Sequence, residues 1–423
     1  MPKLRLGCVA DDFTGASDMA SFLVKGGLNT EMIDGVPDKN WHPAPETQAV
    51  VIALKSRTAP VADAVKQSLA SFQWLRNQAD NCQLFFKYCS TFDSTEQGNI
   101  GPVIDAVLQA FDLHTALVSP ALPVNGRTVY RGHLFVNGQQ LSDSSMRFHP
   151  LTPMRESNLC SLMECQGQHQ AVNLPHTIIE QGEPAIRAWL QQLTTDQCYL
   201  VADHFNDRHA DSLAQAFSDQ PFLSGSSGLA EMLARQHGRN NSETGELSLT
   251  APGRALVLAG SCSEATRGQV AYFLKHFPGR RMDPARLVSG EETVDHIWQW
   301  LLEQGDQPCL LYSSDTPEQV SQAQSRLGHK ISDLLESVFS ELAQRARSAG
   351  FGRLIVAGGE TSGAVTQALD LRSFRVGPSV APGVPVIQPL AQPDLLLVLK
   401  SGNFGDEQFF TKAIQLTEAG MTG

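Results

Sequence analysis

Short apolar runs alternate with helical patterns through the first 235 residues, and this rhythm admits few folds. Runs at 4–10, 29–33, 49–54, 83–88, 115–119 and 198–202 read as strands, and 16–25, 60–78, 99–111, 183–194, 207–217 and 227–236 read as helices. Strands that alternate with helices build βαβ units around a parallel sheet. The first helix has a stop signal in Gly26-Gly27. Residues 120–175 break the rhythm: Pro120, Pro123, Pro150 and Pro153 mark a long insertion, with a hairpin predicted at 128–136.

A polar, glycine-containing stretch at 237–253 precedes a second α/β rhythm. Its strands are predicted at 255–260, 308–313, 353–358 and 394–400, and its helices at 264–276, 291–304, 316–327, 330–349 and 362–370. The fold class expected is α/β: two α/β domains, each a mostly parallel sheet flanked by helices. They are expected at 1–238 and 254–423, joined by a linker at 239–253. A length of 423 residues suits two cores of this kind.

The net charge of −12 argues against nucleic acid as a partner, though local cations and helix N-termini can still hold a small anion. No apolar run reaches 18 residues, so no membrane span is expected. The N-terminus enters a strand at once, without a signal peptide. Cys8, Cys82, Cys89, Cys160, Cys165, Cys198, Cys262 and Cys309 contain no C-x-x-C pair, and several lie in strand-like runs. They read as free thiols of a reducing cytosol, and a cytoplasmic location is expected. The twelve histidines show no H-x-x-x-H pair that would suggest zinc. A homodimer is compatible with the sequence, which does not fix the oligomeric state.

The chemistry is expected at the strand ends, because ligands of open α/β sheets bind outside the carboxyl ends of the strands. Asp11 and Asp12 stand side by side after the first strand. Like charges repel, so a fold that holds both there needs something for them to bind or deprotonate. Lys55-Ser56-Arg57-Thr58, Lys87 to Ser94 and Ser224 to Gly228 supply cations and hydroxyls at other strand ends. That mixture suits a small polyhydroxy acid. The structural alternatives are helix capping for Thr14, Ser17, Ser94 and Asp11, and a solvated charge pair for Lys55 and Arg57.

In the second half, Gly260 to Ser263, Gly358 to Gly363 and Lys400 to Asp406 each follow a predicted strand. Glycines let backbone N–H groups approach a phosphate, and three such loops in one domain point to a nucleotide. Neither a G-x-x-x-x-G-K-[ST] loop nor a dinucleotide fingerprint is present. A phosphate donor on one domain and a hydroxylated acid on the other is the arrangement of a kinase, with the active site in the cleft between them. Phosphoryl transfer asks for positioning, charge stabilisation and a carboxylate to take the hydroxyl proton; Asp12 is the candidate base.

Val9 to Ala16, Phe86 to Thr95, Ser119 to Thr128, Ala357 to Gly363 and Leu399 to Asp406 together resemble the four-carbon acid sugar kinase family, along essentially the whole chain. The resemblance implies an N-terminal domain for the acid sugar and a C-terminal domain for ATP. It implies phosphorylation of the terminal hydroxyl of 3-oxo-tetronate, with D-threonate or D-erythronate as the alternative acceptors. It places ATP near Ser261, Gly358, Gly359, Glu360, Thr361 and Gly405, with Ser263, Ser362, Gly363 and Gly402 completing the expected set. It places the acid sugar near Asp12, Lys55, Arg57, Ser90 and Thr91, with Asp11 and Asp93 beside them. Arg57 is expected to hold the substrate carboxylate. Mg²⁺ is the expected companion of ATP; its ligands are not legible, and Glu360 is read either as an Mg²⁺ or ribose contact or as a charge favoured at a helix N-terminus. One local difference stands out: Gly225-Ser226-Ser227-Gly228 replaces an expected Gly-Gly-Ser-Gly.

Two competing readings have distinct signatures. A non-catalytic sensor of nucleotide and acid sugar would lack the carboxylate or the phosphate loops. A lyase using Lys55 or Lys87 as a Schiff base would leave the glycine loops unused.

Overall fold

Strands whose residues are all apolar have both faces to bury, which is the signature of a parallel sheet covered by helices. In the computed structural model, which describes residues 4–149, 151–193, 197–238, 249–314 and 330–418, this is what such runs do. The chain divides into two units, Met1–Gly245 and Glu246–Gly423. Most of the linker expected at 239–253, and the helix expected at 316–327, lie outside the described residues. No described helix is long and apolar enough to cross a membrane.

The first unit contains β1 (Leu6–Ala10), β2 (Thr30–Asp34), β3 (Ala49–Ala53), β4 (Gln83–Lys87), β5 (Thr115–Ser119), β6 (Arg127–Tyr130), β7 (His133–Val136), β8 (Gln139–Gln140), β9 (Gln170–Leu174), β10 (Cys198–Ala202) and β11 (Phe222–Gly225). Its main sheet runs β2-β3-β1-β4-β11-β5-β10-β9, with every pair parallel. The helices are α1 (Phe13–Lys25), α2 (Val61–Gln78), α3 (Ile100–Ala110), α4 (Leu159–Gln166), α5 (His176–Ile179), α6 (Glu183–Leu190), α7 (Asp207–Ala216) and α8 (Ala230–Gly238). Phe72 of α2 meets Phe86 and Phe222 edge-on in the core, with ring centroids 6.4 and 5.7 Å away. The insertion forms the expected hairpin, β6 against β7.

The second unit contains β12 (Ala255–Ala259), β13 (Gly279–Arg281), β14 (Cys309–Tyr312), β15 (Arg353–Ala357), β16 (Ser373–Ala381), β17 (Val384–Pro389) and β18 (Leu396–Lys400), in the order β13-β14-β12-β15-β18-β17-β16. The first five are parallel; β17 runs antiparallel to β18 and to β16. Its helices are α9 (Glu264–Phe273), α10 (Pro284–Ser289), α11 (Val294–Glu303), α12 (Lys330–Ser348), α13 (Gly359–Ala368) and α14 (Phe409–Thr417).

Several elements depart from expectation, among them β11, the β16–β17 hairpin and β9. Ser224 and Gly225, expected in a loop, complete the central strand β11. Only Phe222 and Leu223 are apolar there; Ser224 is buried by giving its hydroxyl to Leu117 O at 2.7 Å, so hydropathy alone conceals the strand. The β16–β17 hairpin was masked by its prolines; Pro378 sits at the register shift between Val376 and Ser379, where no ladder N–H is needed. β9, polar and partly exposed at the end of the first sheet, lacks the apolar run of its neighbours.

Both sheets reverse their strand order beside their first strand. In the first unit β3 lies on one side of β1 and β4 on the other; in the second, β14 and β15 flank β12 in the same way. The carboxyl ends of these strands are the topological switch points where open sheets take ligands.

Candidate active site

At the first switch point, Ala10 pairs with Ala53 and Lys87, so the loops after β1, β3 and β4 start level. Asp11 fastens them: its N–H donates to Lys87 O (3.0 Å), and its carbonyl accepts from Ser56 N (3.0 Å) and Arg57 N (3.2 Å). Asn99, just before α3, clamps the same loop, its Nδ2 reaching Ser56 O (2.7 Å), Ala59 O (2.9 Å) and Arg57 O (3.2 Å).

The two adjacent aspartates have different surroundings. Asp11 is 4% exposed and takes a two-pronged bond from Arg57, Nε to Oδ2 at 2.9 Å and Nη2 to Oδ1 at 2.8 Å. Asp12 has a side chain 32% exposed; its Oδ2 lies 3.0 Å from Arg57 Nη1, and its Oδ1 accepts from Gly15 N at 2.7 Å. The helix cap considered for Asp11, Thr14 and Ser17 therefore falls to Asp12: Asp11 faces Arg57, and α1 begins at Phe13, which puts Thr14 and Ser17 inside it. The cap position of α3 is Asn99 rather than Ser94. Asp93 Oδ2 adds a third carboxylate 3.8 Å from Arg57 Nη1.

Burial pushes the Asp11 carboxyl up, while the charge and hydrogen bonds of Arg57 pull it down and the neighbouring Asp12 adds to the rise. Against the desolvation that would lower it, Asp11 and Asp12 hold the Arg57 guanidinium above its ordinary value. Arg57 is thus neither a solvated charge nor a free cation; it is the hub of an internal network. Lys55 is exposed and has no ionic partner among the described residues.

The loop after β4 is strained. Phe92 and Asp93 are consecutive left-handed residues, with φ of 66° and 47°, and neither is glycine. Thr91 steadies the turn, its hydroxyl donating to Asp93 Oδ1 at 2.7 Å, while Ser90 stays partly exposed. Burial pushes the Cys89 thiol up to about 12, which disfavours the thiolate, and its Sγ lies 3.0 Å from Thr91 Oγ1. Beneath α1, the buried Lys87 gives one hydrogen bond to Tyr88 O (3.0 Å) and lies 3.9 Å from Asp18 Oδ2, which also accepts from the Ser227 hydroxyl. Ser226, the one local difference in the motif, points its hydroxyl to Ala121 O at 2.9 Å and is absorbed without disturbance.

In the second unit, Ala357 pairs with Ala259 and Lys400, which aligns the three glycine loops. Gly260 and Ser261 donate their N–H groups to Ala357 O (2.9 and 3.1 Å), and Gly358 donates to Lys400 O (2.9 Å). Gly358 has φ of 129°, which a side chain would resist, and it turns the chain directly into α13. Ser263 caps α9 and donates to Gly402 O at 2.6 Å. Gln269 reaches the carbonyls of Phe404 (2.9 Å), Gly405 (3.2 Å) and Asp406 (3.0 Å). Thr361 and Ser362 are buried, whereas Glu360 is exposed in the first turn.

Gly359 and Gly363 lie one helical turn apart on α13, and a Cβ built on either meets nothing within 4 Å. Glycine in a helix costs about 1 kcal/mol relative to alanine, and no packing demands it here. Open space beside a bare helix N-terminus is a cradle fit for a phosphate. Gly363→Ala is therefore expected to raise stability by up to about 1 kcal/mol while raising the KM for ATP; denaturation midpoints and initial rates measured on one preparation check both halves.

Asp11, Asp12, Arg57, Thr91 and Asp93 thus stand together in the first unit, and Ser261, Ser263, Gly358, Thr361 and Gly402 in the second. Asn99, Asp18 and Gln269 carry no signal in the sequence, since a lone polar residue reaching a distant loop leaves no local pattern, while Lys87 and Lys400 enter the sequence reading only as the first residues of their loops and, for Lys87, as a possible Schiff-base lysine.

Comparison with known proteins gives a match in two parts. Residues 6–233 match a sugar-binding N-terminal domain, and residues 256–410 a nucleotide-binding C-terminal domain. A 3-oxo-tetronate kinase of Brucella melitensis is 46% identical over 97% of this chain and 95% of its own, and one of Salmonella typhimurium is 46% identical over 97% and 98%. The Escherichia coli 3-oxo-tetronate kinase is 43% identical over 90% and 99%. A crystal structure from Salmonella typhimurium, described there as a tRNA synthase, superposes with a TM-score of 0.91 at 44% identity, covering 98% of this chain and 100% of that one. The chain belongs to the 3-oxo-tetronate kinase family.

Proposed function

We propose that this protein is an ATP-dependent kinase that phosphorylates the terminal hydroxyl of 3-oxo-tetronate, giving 3-oxo-tetronate 4-phosphate. The observation that carries the reading is the near full-length identity with relatives named for that activity. The two loop sets support it: carboxylates and a cation at one switch point, a glycine cradle at the other. A tRNA-directed role finds no support in a chain of net charge −12.

In this reading Asp12 is the base. Its Oδ2 takes the proton of the acceptor hydroxyl as the oxygen attacks the γ-phosphate; Arg57 Nη1, 3.0 Å from that same oxygen, and Gly15 N, on Oδ1, fix the carboxylate's direction. Arg57 already serves three carboxylates, so the cation left for the acid's own carboxylate is Lys55. Ser90 and Thr91 offer hydroxyls to the sugar. Ser261, Gly358–Gly363 and Gly402–Gly405 form the nucleotide cradle.

Bound with ATP, Mg²⁺ would supply neutralisation of the phosphate charge. Among the described residues no group of three or more His, Cys, Asp or Glu forms a metal cage. A carboxylate for an ion carried on the phosphates would come from Glu360, exposed in the first turn of α13.

Initial rates with ATP and Mg²⁺ on 3-oxo-tetronate, D-threonate and D-erythronate, side by side, test the assignment. The 3-oxo acid is expected to give the highest kcat/KM. Preference for a tetronate without the oxo group would move the assignment within the family, and no turnover of any would overturn it.

A further inference from the structure

Lys400 closes β18, and its side chain folds back beneath the loop that follows. Its Nζ donates to Gly402 O (2.9 Å), Thr266 Oγ1 (3.0 Å) and Ser401 O (3.1 Å). Three acceptors match the three N–H bonds of an ammonium, so the group sits there charged. It is 1% exposed, and the ring of Phe409 covers it with its centroid 5.8 Å from Nζ.

No counter-ion comes with it. The ionisable groups on the surrounding elements are Glu264, Arg267 and Tyr272 on α9, Arg353 on β15, Glu360 on α13, and Asp406, Glu407 and Lys412 at α14. Asp406 pairs with Lys412, and Glu264, Glu360 and Glu407 are exposed. Among the described residues none forms an ion pair with Lys400, and burial alone lowers its pKa to about 8. A buried, uncompensated charge is costly to a fold, and it persists where a ligand of opposite sign completes it. Gly402 O accepts from Lys400, Ser263 and Thr266 together, while Gly358 N donates to the Lys400 carbonyl. The charge therefore lies under the meeting point of all three glycine loops.

We propose that Lys400 is the built-in counter-charge for the nucleotide's phosphates, a positioning residue that fixes the Ser401–Gly405 loop and offsets polyphosphate charge through it. The proposal rests on the nucleotide-binding reading of this unit and adds the residue that makes its loops attractive to anions.

The test is ATP affinity of the full-length wild type, Lys400→Met and Lys400→Arg, by calorimetry and by ATP-induced thermal shift across alkaline pH. Met keeps the length and removes the charge, and about a tenfold or greater loss of affinity is expected; Arg should recover part of it. Wild-type affinity should fall as pH rises through the Lys400 value of about 8, where the ammonium loses its proton, and Lys400→Met should show no such fall. A loop tie without an electrostatic role would not produce that pH dependence. Wild-type affinity with no alkaline fall, or Lys400→Met binding ATP as tightly as wild type, overturns the proposal and leaves the nucleotide reading standing. A wild type that binds no ATP overturns both. Should Lys400→Met fail to fold, the wild-type profile decides alone.

Discussion

Asp12→Asn is expected to lower kcat by about 10²–10⁴-fold, the span typical of a lost general base, with the fold left intact. The second half of that statement comes from the capping geometry. Asp12 Oδ1 accepts from Gly15 N at 2.7 Å, and asparagine caps helices as well as aspartate does. The amide keeps that oxygen while giving up the proton-accepting charge that faces solvent. Because Asp12 Oδ2 also lies 3.0 Å from Arg57 Nη1, the amide gives up that partly exposed ion pair, so unfolding should shift by only about 1 kcal/mol, and the KM for ATP should hold. A kcat within about threefold of wild type would remove Asp12 from the chemistry.

Arg57→Met has the largest expected effect on stability. It strips the partner from a carboxylate that is 4% exposed, and breaking a buried ion pair from one side costs about 3–5 kcal/mol. Denaturant unfolding followed by a probe in the first unit measures the loss. Adding Asp11→Asn in the same chain removes the stranded charge and should restore the greater part. The pH dependence has a definite sign. Without Arg57, burial raises the folded-state value of Asp11 further above its unfolded one, so the folded form holds the proton more tightly. Stability of Arg57→Met should therefore fall as pH rises above the ordinary carboxylate range. A loss under about 1 kcal/mol, or no rescue by Asp11→Asn, would show that the pair is not what holds these loops.

What could be read from the sequence follows from how each feature is encoded. β1, β3 and β4 announce themselves because each is buried along its whole length and carries an apolar run, broken in β4 only at its two ends by Gln83 and Lys87. The site loops were legible by position, since strand ends are where polar residues collect. β11 was not, because its burial is achieved by the hydrogen bonds of Ser224 rather than by apolar side chains. The division between Asp11 and Asp12 was equally hidden. It depends on Arg57, 46 residues away, choosing the inner carboxylate for its two-pronged bond. Asn99, Gln269 and Lys400 act the same way: each is one polar residue whose meaning appears only when the fold brings backbone carbonyls around it.

The ties that shape the two sets of loops, Asn99 to Ser56, Arg57 and Ala59 in one and Gln269 to Phe404, Gly405 and Asp406 in the other, each close within a single unit. Heredity can therefore edit them separately. Changes confined to the loops after β1, β3 and β4 leave the ties of the second unit's loops as they are.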